Sequence, residues 1–173
     1  HQGEVDMLEE TYLKIISAKT AELFAASTKV GAILSNMKNK EKEALEFYGR
    51  NLGLTFQIAD DTLDYNSELK LFGKKIGQDF YEGKVTLPII LLFQKANKEE
   101  RDKLKEIFSK KVRSENELVY TLSLIKKYNV IKGCYQKAEH YINLASNSLS
   151  VFNDCEEKSI LENLTSFSLA RNF

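Results

Sequence analysis

Three aspartates, Asp60, Asp61 and Asp64, crowd into the stretch Phe56-Gln-Ile-Ala-Asp-Asp-Thr-Leu-Asp-Tyr65, and no basic residue lies three or four positions to either side. At about 100° per residue, Gln57, Asp60, Asp61 and Asp64 share an arc of roughly 100° on one helix face. Leu45, Leu52, Phe56, Ala59 and Leu63 flank the arc on one side, and Phe47, Leu54, Ile58 and Tyr65 on the other. A surface helix carries a broad charged face laced with lysine, so an acidic stripe between two apolar flanks is a different pattern. Crowded carboxylates beside apolar walls either take up protons or share a cation. Aspartate is also a poor helix-interior residue, so three of them oppose the helix that carries them. An oxygen-only set suits Mg²⁺ or Ca²⁺ rather than zinc, and a small one suits Mg²⁺ completed by water and phosphate oxygens. The bland alternative is a solvated acidic patch at a helix end, the commoner meaning of a lone DDxxD.

The segment that follows adds weight to the metal reading. Between Ser67 and Gly83, the glycines Gly73, Gly77 and Gly83 are interleaved with Lys74, Lys75, Asp79 and Glu82, and Lys84 comes next. Glycines let backbone approach an anion and lysines offer point charges to phosphate. Such a loop can cover a phosphorylated ligand held by the metal.

The elements that must position these residues read as helices. One proline and eight glycines in 173 residues leave long stretches without a breaker, and apolar residues recur at helical spacing through most of the chain. The spacing predicts a helix over 9–37, with Tyr12, Ile15, Ile16, Leu23, Phe24, Val30, Ile33 and Leu34 turned inward and an alanine-rich middle open to close approach. A second helix is predicted over 40–66, then the glycine loop, then a helix capped by Thr86 with Pro88 in its first turn. Shorter helices follow over 99–111, 115–128, 130–149 and 154–170, the last opening on an Asp154/Glu157 capping box. The β-branched runs are too short and too rarely alternating for a mixed α/β fold.

Composition narrows the function classes. A chain of this length can bury one good core, and a single all-helical region over 1–173 is the expectation. Lys+Arg and Asp+Glu stand at 25 each, so no overall field draws the chain to nucleic acid or an anionic membrane. Cys134 and Cys155 lack metal-ligand spacing, and such sparse usage suits a reducing cytoplasm. No apolar run is long enough to span a bilayer, and residues 1–10 carry neither signal nor presequence features. They read as cut from a longer chain, already helix interior. His140 has no acid or nucleophile partner in sequence and is assigned to packing or surface.

Several stretches, in order, resemble the trans-type polyprenyl diphosphate synthases. Phe56 to Tyr65 is similar to that family's second aspartate-rich motif with its preceding Phe-Gln, and Gly73 to Pro88 to the loop that follows it. Lys19-Thr20-Ala21-Glu22-Leu23-Phe24 resembles the upstream Lys-Thr motif, and Gly3-Glu4 the helix before that. The match covers residues 1 to about 95 closely; beyond, it rests on helical character and a late Arg171. The resemblance implies the C-terminal half of an isoprenoid-synthase helical bundle. It implies that Asp60 binds Mg²⁺ directly, with Asp61 and Asp64 acting directly or through water. Lys19 and Lys74 would grip an allylic diphosphate, with Lys84 nearby, and the oxygens of Thr20 and Gln57 would stabilise positive charge at the allylic carbon.

The implied activity is prenyl transfer from an allylic prenyl diphosphate to isopentenyl diphosphate, of the polyprenyl or octaprenyl kind that builds quinone side chains. Met7 stands where the family usually has glutamine, and no second DDxxD occurs in the chain. The family's first aspartate-rich motif and its isopentenyl diphosphate ligands belong to an N-terminal half, so this chain is expected to be inactive alone. Pairing with that half, or a homodimer, is the implied assembly, with peripheral membrane contact for product release. The alternative is a non-catalytic half-subunit that pairs with another helical chain and regulates or stabilises it.

Overall fold

The computed structural model describes residues 9–66 and 76–170. Gly3, Glu4, Met7, Gly73, Lys74, Lys75 and Arg171 lie outside the described residues. Within these the structure is helical and contains no strand: α1 (Glu9–Ile16), a π-helical turn (Ser17–Ala21), α2 (Glu22–Leu34), α3 (Asn39–Leu63), α4 (Gln78–Glu82), α5 (Leu87–Lys95), α6 (Lys98–Ser109), α7 (Glu115–Lys127), α8 (Val130–Ser148), a 3₁₀ turn (Leu149–Val151) and α9 (Glu156–Ala170). The all-α expectation holds, and the short α4 sits where a loop was expected.

The residues group into two compact units. One draws on the chain up to Tyr12 and on Asp60–Tyr135; the other draws on Leu13–Ala59 and on the chain from Gln136 onward. In the first, α5 is buried from Leu87 to Leu92, together with Phe80, Leu104, Ile107 and Phe108. Phe80 meets Phe108 edge-on with ring centroids 5.6 Å apart, a favoured aromatic geometry. In the second, Tyr48 and Leu52 of α3 pack with Ile142 and Ala145 of α8 and with Leu149, and Phe24, Leu45, Phe152 and Leu161 close around them.

The first helical run keeps Tyr12 and Ile16 buried and Phe24 packed inward, as predicted, and departs from the predicted inward face elsewhere. Buried residues in it are Tyr12, Ile16, Ala21, Ala25 and Ala32, and the step of five from Ile16 to Ala21 is the stride of a π turn. Ile15, Leu23, Val30, Ile33 and Leu34, expected inside, are exposed, Leu23 by 71% and Leu34 by 78%. The reason lies in α3, which meets this run through glycine. A Cβ on Gly53 would lie 2.7 Å from Ala21 Cα, and one on Gly49 would lie 2.5 Å from the Phe24 carbonyl oxygen. Backbones this close admit alanine at the contact and leave Leu23, Val30, Ile33 and Leu34 on the far side, while Phe24 still packs toward the Tyr48 cluster.

Helix ends follow local chemistry. Pro88 occupies the first turn of α5, and Thr86 is extended at its N-cap without a side-chain capping bond. Full capping boxes form at Asn97/Glu100 and Ser114/Glu117, both readable as N-x-x-E and S-x-x-E. The predicted Asp154/Glu157 box does not form. Asp154 instead accepts from Lys158 Nζ at 2.8 Å, and the backbone N–H of Lys158 reaches Cys155 Sγ at 3.5 Å. α3 stops at Leu63, three residues earlier than expected, and Asp64 stands in the closing turn where Tyr65 N–H bonds the Thr62 carbonyl at 3.1 Å.

Candidate functional site

In the second unit the π turn carries Lys19 and Thr20, with Lys19 exposed and Thr20 half-buried. One inserted residue re-aims the side chains on either side, which is why such turns recur at functional sites. Thr20 Oγ1 donates to Gln57 Oε1 at 2.7 Å across 37 residues of sequence. Gln57 is buried, and Gly53, one helical turn before it on α3, lets the π turn come close enough for that bond. With its hydrogen turned toward Gln57, the threonine oxygen presents lone pairs elsewhere. Arg50 of α3 bonds Glu22 and, at 3.2 Å, Glu46, so the start of α2 is tied to the same helix.

In the first unit the three aspartates have different surroundings. Asp60 is exposed. Asp61 is 6% exposed and its Oδ2 accepts from the Tyr12 hydroxyl at 2.7 Å. Asp64 is 5% exposed, with Oδ1 accepting from Gln78 N–H at 3.1 Å and Oδ2 from Asp79 N–H at 2.8 Å. Its carbonyl also takes Gly77 N–H at 2.9 Å. Asp64 therefore satisfies the opening amides of α4 as a capping carboxylate does.

The segment after Asp64 is organised by the same contacts. Gly77 and Gly83 adopt left-handed conformations at φ 83° and 71° on either side of α4. A Cβ on Gly77 would lie 2.7 Å from Leu118, and one on Gly83 2.5 Å from the Arg113 guanidinium, so the fold itself accounts for both glycines. Lys84 Nζ pairs with Glu82 at 2.6 Å and Asp79 at 3.1 Å. The hydrogen bond with Glu82 does most to hold the Lys84 ammonium above its ordinary pKa, with Asp79 adding to it, and Lys84 in turn holds Glu82 below the usual carboxylate range. Lys84 is thus neutralised by two carboxylates of its own segment. Lys74 lies outside the described residues.

Two residues in this unit make contacts that the sequence does not mark. Arg113, 7% exposed, donates to the Phe108 carbonyl at 2.6 Å and the Tyr81 carbonyl at 3.3 Å, holding the turn that carries Lys84. Nothing in Lys111-Val-Arg113 marks it out. Tyr12 is marked in the sequence only by its inward-facing spacing. His140 is exposed, and Cys134 is buried with its thiol pushed up to about 12 by burial.

Among the described residues no group of three or more His, Cys, Asp or Glu side chains converges to hold a metal. The donor chemistry still fits a hard cation at part of the motif. Asp60 is exposed and Asp61 adjoins it with one oxygen held by a neutral donor, whereas both Asp64 oxygens are bonded to amides. None of the predicted site residues lines the cleft formed by Tyr65, Leu122, Ile125, Lys126, Lys132 and their neighbours.

An all-helical chain that carries both an aspartate-rich helix end and a Lys-Thr turn defines a class, and known proteins make it specific. The family described as polyprenyl synthetase matches residues 1–125, and this chain belongs to it. The chain is 34% identical over 170 residues to a short chain isoprenyl diphosphate synthase of Methanothermobacter thermautotrophicus, covering 98% of this chain and 52% of that protein. Against the octaprenyl diphosphate synthase of Escherichia coli the identity is 30% over 170 residues, covering 98% and 52%. A decaprenyl diphosphate synthase structure from Rhodobacter capsulatus matches with a TM-score of 0.92 at 31% identity, covering 99% of this chain and 53% of that one. A polyprenyl synthase from Caulobacter crescentus, solved with calcium and isoprenyl diphosphate, gives 0.92 at 34% identity over 99% and 52%. The chain spans about half the length of the relatives it matches.

Proposed function

We propose that this chain is the C-terminal half of a prenyltransferase that extends an allylic prenyl diphosphate with isopentenyl diphosphate, the chemistry of polyprenyl chains such as quinone side chains. The observation that carries the reading is the Thr20–Gln57 hydrogen bond at 2.7 Å, made from a π turn onto the same helix that ends in the aspartates. Two oxygens fixed against each other beside a helix break suit stabilisation of a carbocation better than they suit packing. Mg²⁺, held through Asp60 and Asp61, would supply charge neutralisation for a departing diphosphate. Lys19, Lys74 and Lys84 would hold the diphosphate oxygens, and Lys84 must first exchange Glu82 and Asp79 for them.

The allylic C–O bond breaks with its electron pair leaving on diphosphate, and the isopentenyl double bond attacks the allylic carbon. The resulting cation loses a proton to the departed diphosphate. Thr20 Oγ1 and Gln57 Oε1 face the developing positive charge with lone pairs. The N-terminal half of the fold would supply the first aspartate-rich motif and the isopentenyl diphosphate site, and the complete protein is read as a cytoplasmic homodimer. Among the described residues no helix is long and apolar enough to cross a membrane.

The test is incubation with Mg²⁺, labelled isopentenyl diphosphate and an allylic primer. The 173-residue chain is expected to form no longer product by itself and to form it once the N-terminal segment is restored. In the complete form, Asp60→Ala should abolish synthesis; undiminished turnover removes Asp60 from the site. A second reading, a non-catalytic half-subunit that pairs with and regulates another helical chain, is favoured by the exposed apolar side chains of α2, among them Leu23 and Leu34. It predicts pairing without product in the restored form.

A further inference from the structure

Tyr12 and Asp61 lie 49 residues apart in sequence and meet in the interior of the first unit, 3% and 6% exposed. Their 2.7 Å separation is that of a well-formed bond from a hydroxyl to a carboxylate. A buried carboxylate is costly to desolvate, and an apolar pair of the same volume would serve the fold as well or better. Asp61 at this place therefore calls for a reason other than packing. The Tyr12 hydroxyl is the donor of the pair and the Asp61 carboxylate the acceptor. The sequence neighbour Asp60 is exposed, so a buried, anchored carboxylate adjoins an accessible one.

We propose that Tyr12 is a positioning residue for the aspartate-rich end of α3: its hydroxyl fixes the Asp61 carboxylate in one orientation, so that Asp61 meets a magnesium–diphosphate ligand already ordered beside Asp60. The inference rests on the function proposed above and adds to it a residue outside the aspartate-rich motif. Fixing one oxygen removes the carboxylate's rotational freedom before the ligand arrives, which is how supporting hydrogen bonds raise the affinity of metal-binding carboxylates. Tyr48 provides an internal contrast. It too is a buried tyrosine, but its hydroxyl donates at 2.8 Å to the Leu161 carbonyl and serves packing in the second unit.

The experiment titrates the full chain with inorganic diphosphate in Mg²⁺ by calorimetry, for the unaltered protein, Tyr12→Phe, Asp61→Asn, the double variant and Tyr48→Phe. Tyr12→Phe is expected to weaken binding about 10-fold, as loss of a hydrogen bond to a charged group does, while keeping the helical circular dichroism. Tyr48→Phe should leave affinity unchanged, and Tyr12→Phe should cost nothing further in the Asp61→Asn background. Full affinity in Tyr12→Phe overturns the positioning role while leaving the proposed function intact. An undiminished loss in the Asp61→Asn background, or an unfolded Tyr12→Phe, assigns the bond to the fold and also overturns it. No Mg²⁺-dependent diphosphate binding by the unaltered chain overturns the role of Tyr12, while synthesis in the restored form still decides the proposed function.

Discussion

α5 and α2 are both rich in apolar residues, and the structure treats them in opposite ways. Every residue from Leu87 to Leu92 is buried inside the first unit. In α2 the buried residues are Ala25 and Ala32, while Leu23, Val30, Ile33 and Leu34 are exposed. Apolar content predicts that a side chain gains from burial; which side chains achieve it depends on the neighbour available. α5 is enclosed over that stretch, whereas α2 meets α3 through its small residues and Phe24 and leaves Leu23, Val30, Ile33 and Leu34 exposed. Large apolar side chains left exposed in this way are a common feature of protein–protein contacts.

The largest expected effect comes from α5. Leu92 is fully buried, and Leu92→Ala should destabilise the chain by about 2–5 kcal/mol, the usual cost of lost transfer energy plus a cavity. Urea denaturation reads this as a lower midpoint at unchanged slope. A loss below about 1 kcal/mol, typical of surface positions, would erase the contrast with α2.

Gly53→Ala tests the α2 side at its close contact. The new methyl would meet Ala21 Cα at 2.7 Å and Ala21 Cβ at 3.2 Å, and both partners lie on backbone or one bond from it, so the π turn must shift. Overpacking of this kind costs about 1–3 kcal/mol. The Thr20–Gln57 bond should be disturbed with it, so Thr20→Val should cost less in Gly53→Ala than in the unaltered chain. Equal costs in the two backgrounds would separate the glycine from the site.

A smaller effect is set by pH and belongs to the first unit. Lys127, with Tyr128 next, holds the Glu100 carboxyl down to about 2, and Lys110, with the Ser114 backbone next, holds Glu117 down to about 2. A depressed carboxylate stabilises the fold above its unfolded value near 4.5. That contribution is lost as pH falls from there toward the folded value. Glu100→Gln and Glu117→Gln should therefore flatten the acid limb of a melting-temperature profile below pH 5 and leave its shape unchanged above pH 6. An unaltered acid limb would show that these exposed ion pairs are screened into insignificance.

The same contrast explains what could be read from the sequence. Helix identity was legible because breakers are few and apolar spacing is regular, and the aspartate motif was legible because its residues are contiguous. Family membership followed from motifs lying in order along the chain. The inward face of α2 was misread because alanine carries little hydrophobic signal, while Leu23 and Leu34 carry a strong one. Glycines at 49 and 53 on another helix decided between them. The π turn left its trace only in the five-residue step from Ile16 to Ala21. The different surroundings of Asp60, Asp61 and Asp64 were hidden because the partners involved, Tyr12 and the amides of Gln78 and Asp79, are distant or backbone.

The smallest effect on stability is the most informative about α2. Leu34 is 78% exposed and Leu23 71%, so Leu23→Lys and Leu34→Lys should change the unfolding free energy by less than about 0.5 kcal/mol, as surface substitutions do. If the face serves only solvent, nothing else should change. If it receives the N-terminal half, the double variant should lose association with that segment in sedimentation velocity while folding normally, because two buried leucines would become two desolvated ammonium groups. Retained association with unchanged stability would mean that the open face of α2 is not where the halves meet, and the contrast with α5 would then reflect helix packing alone.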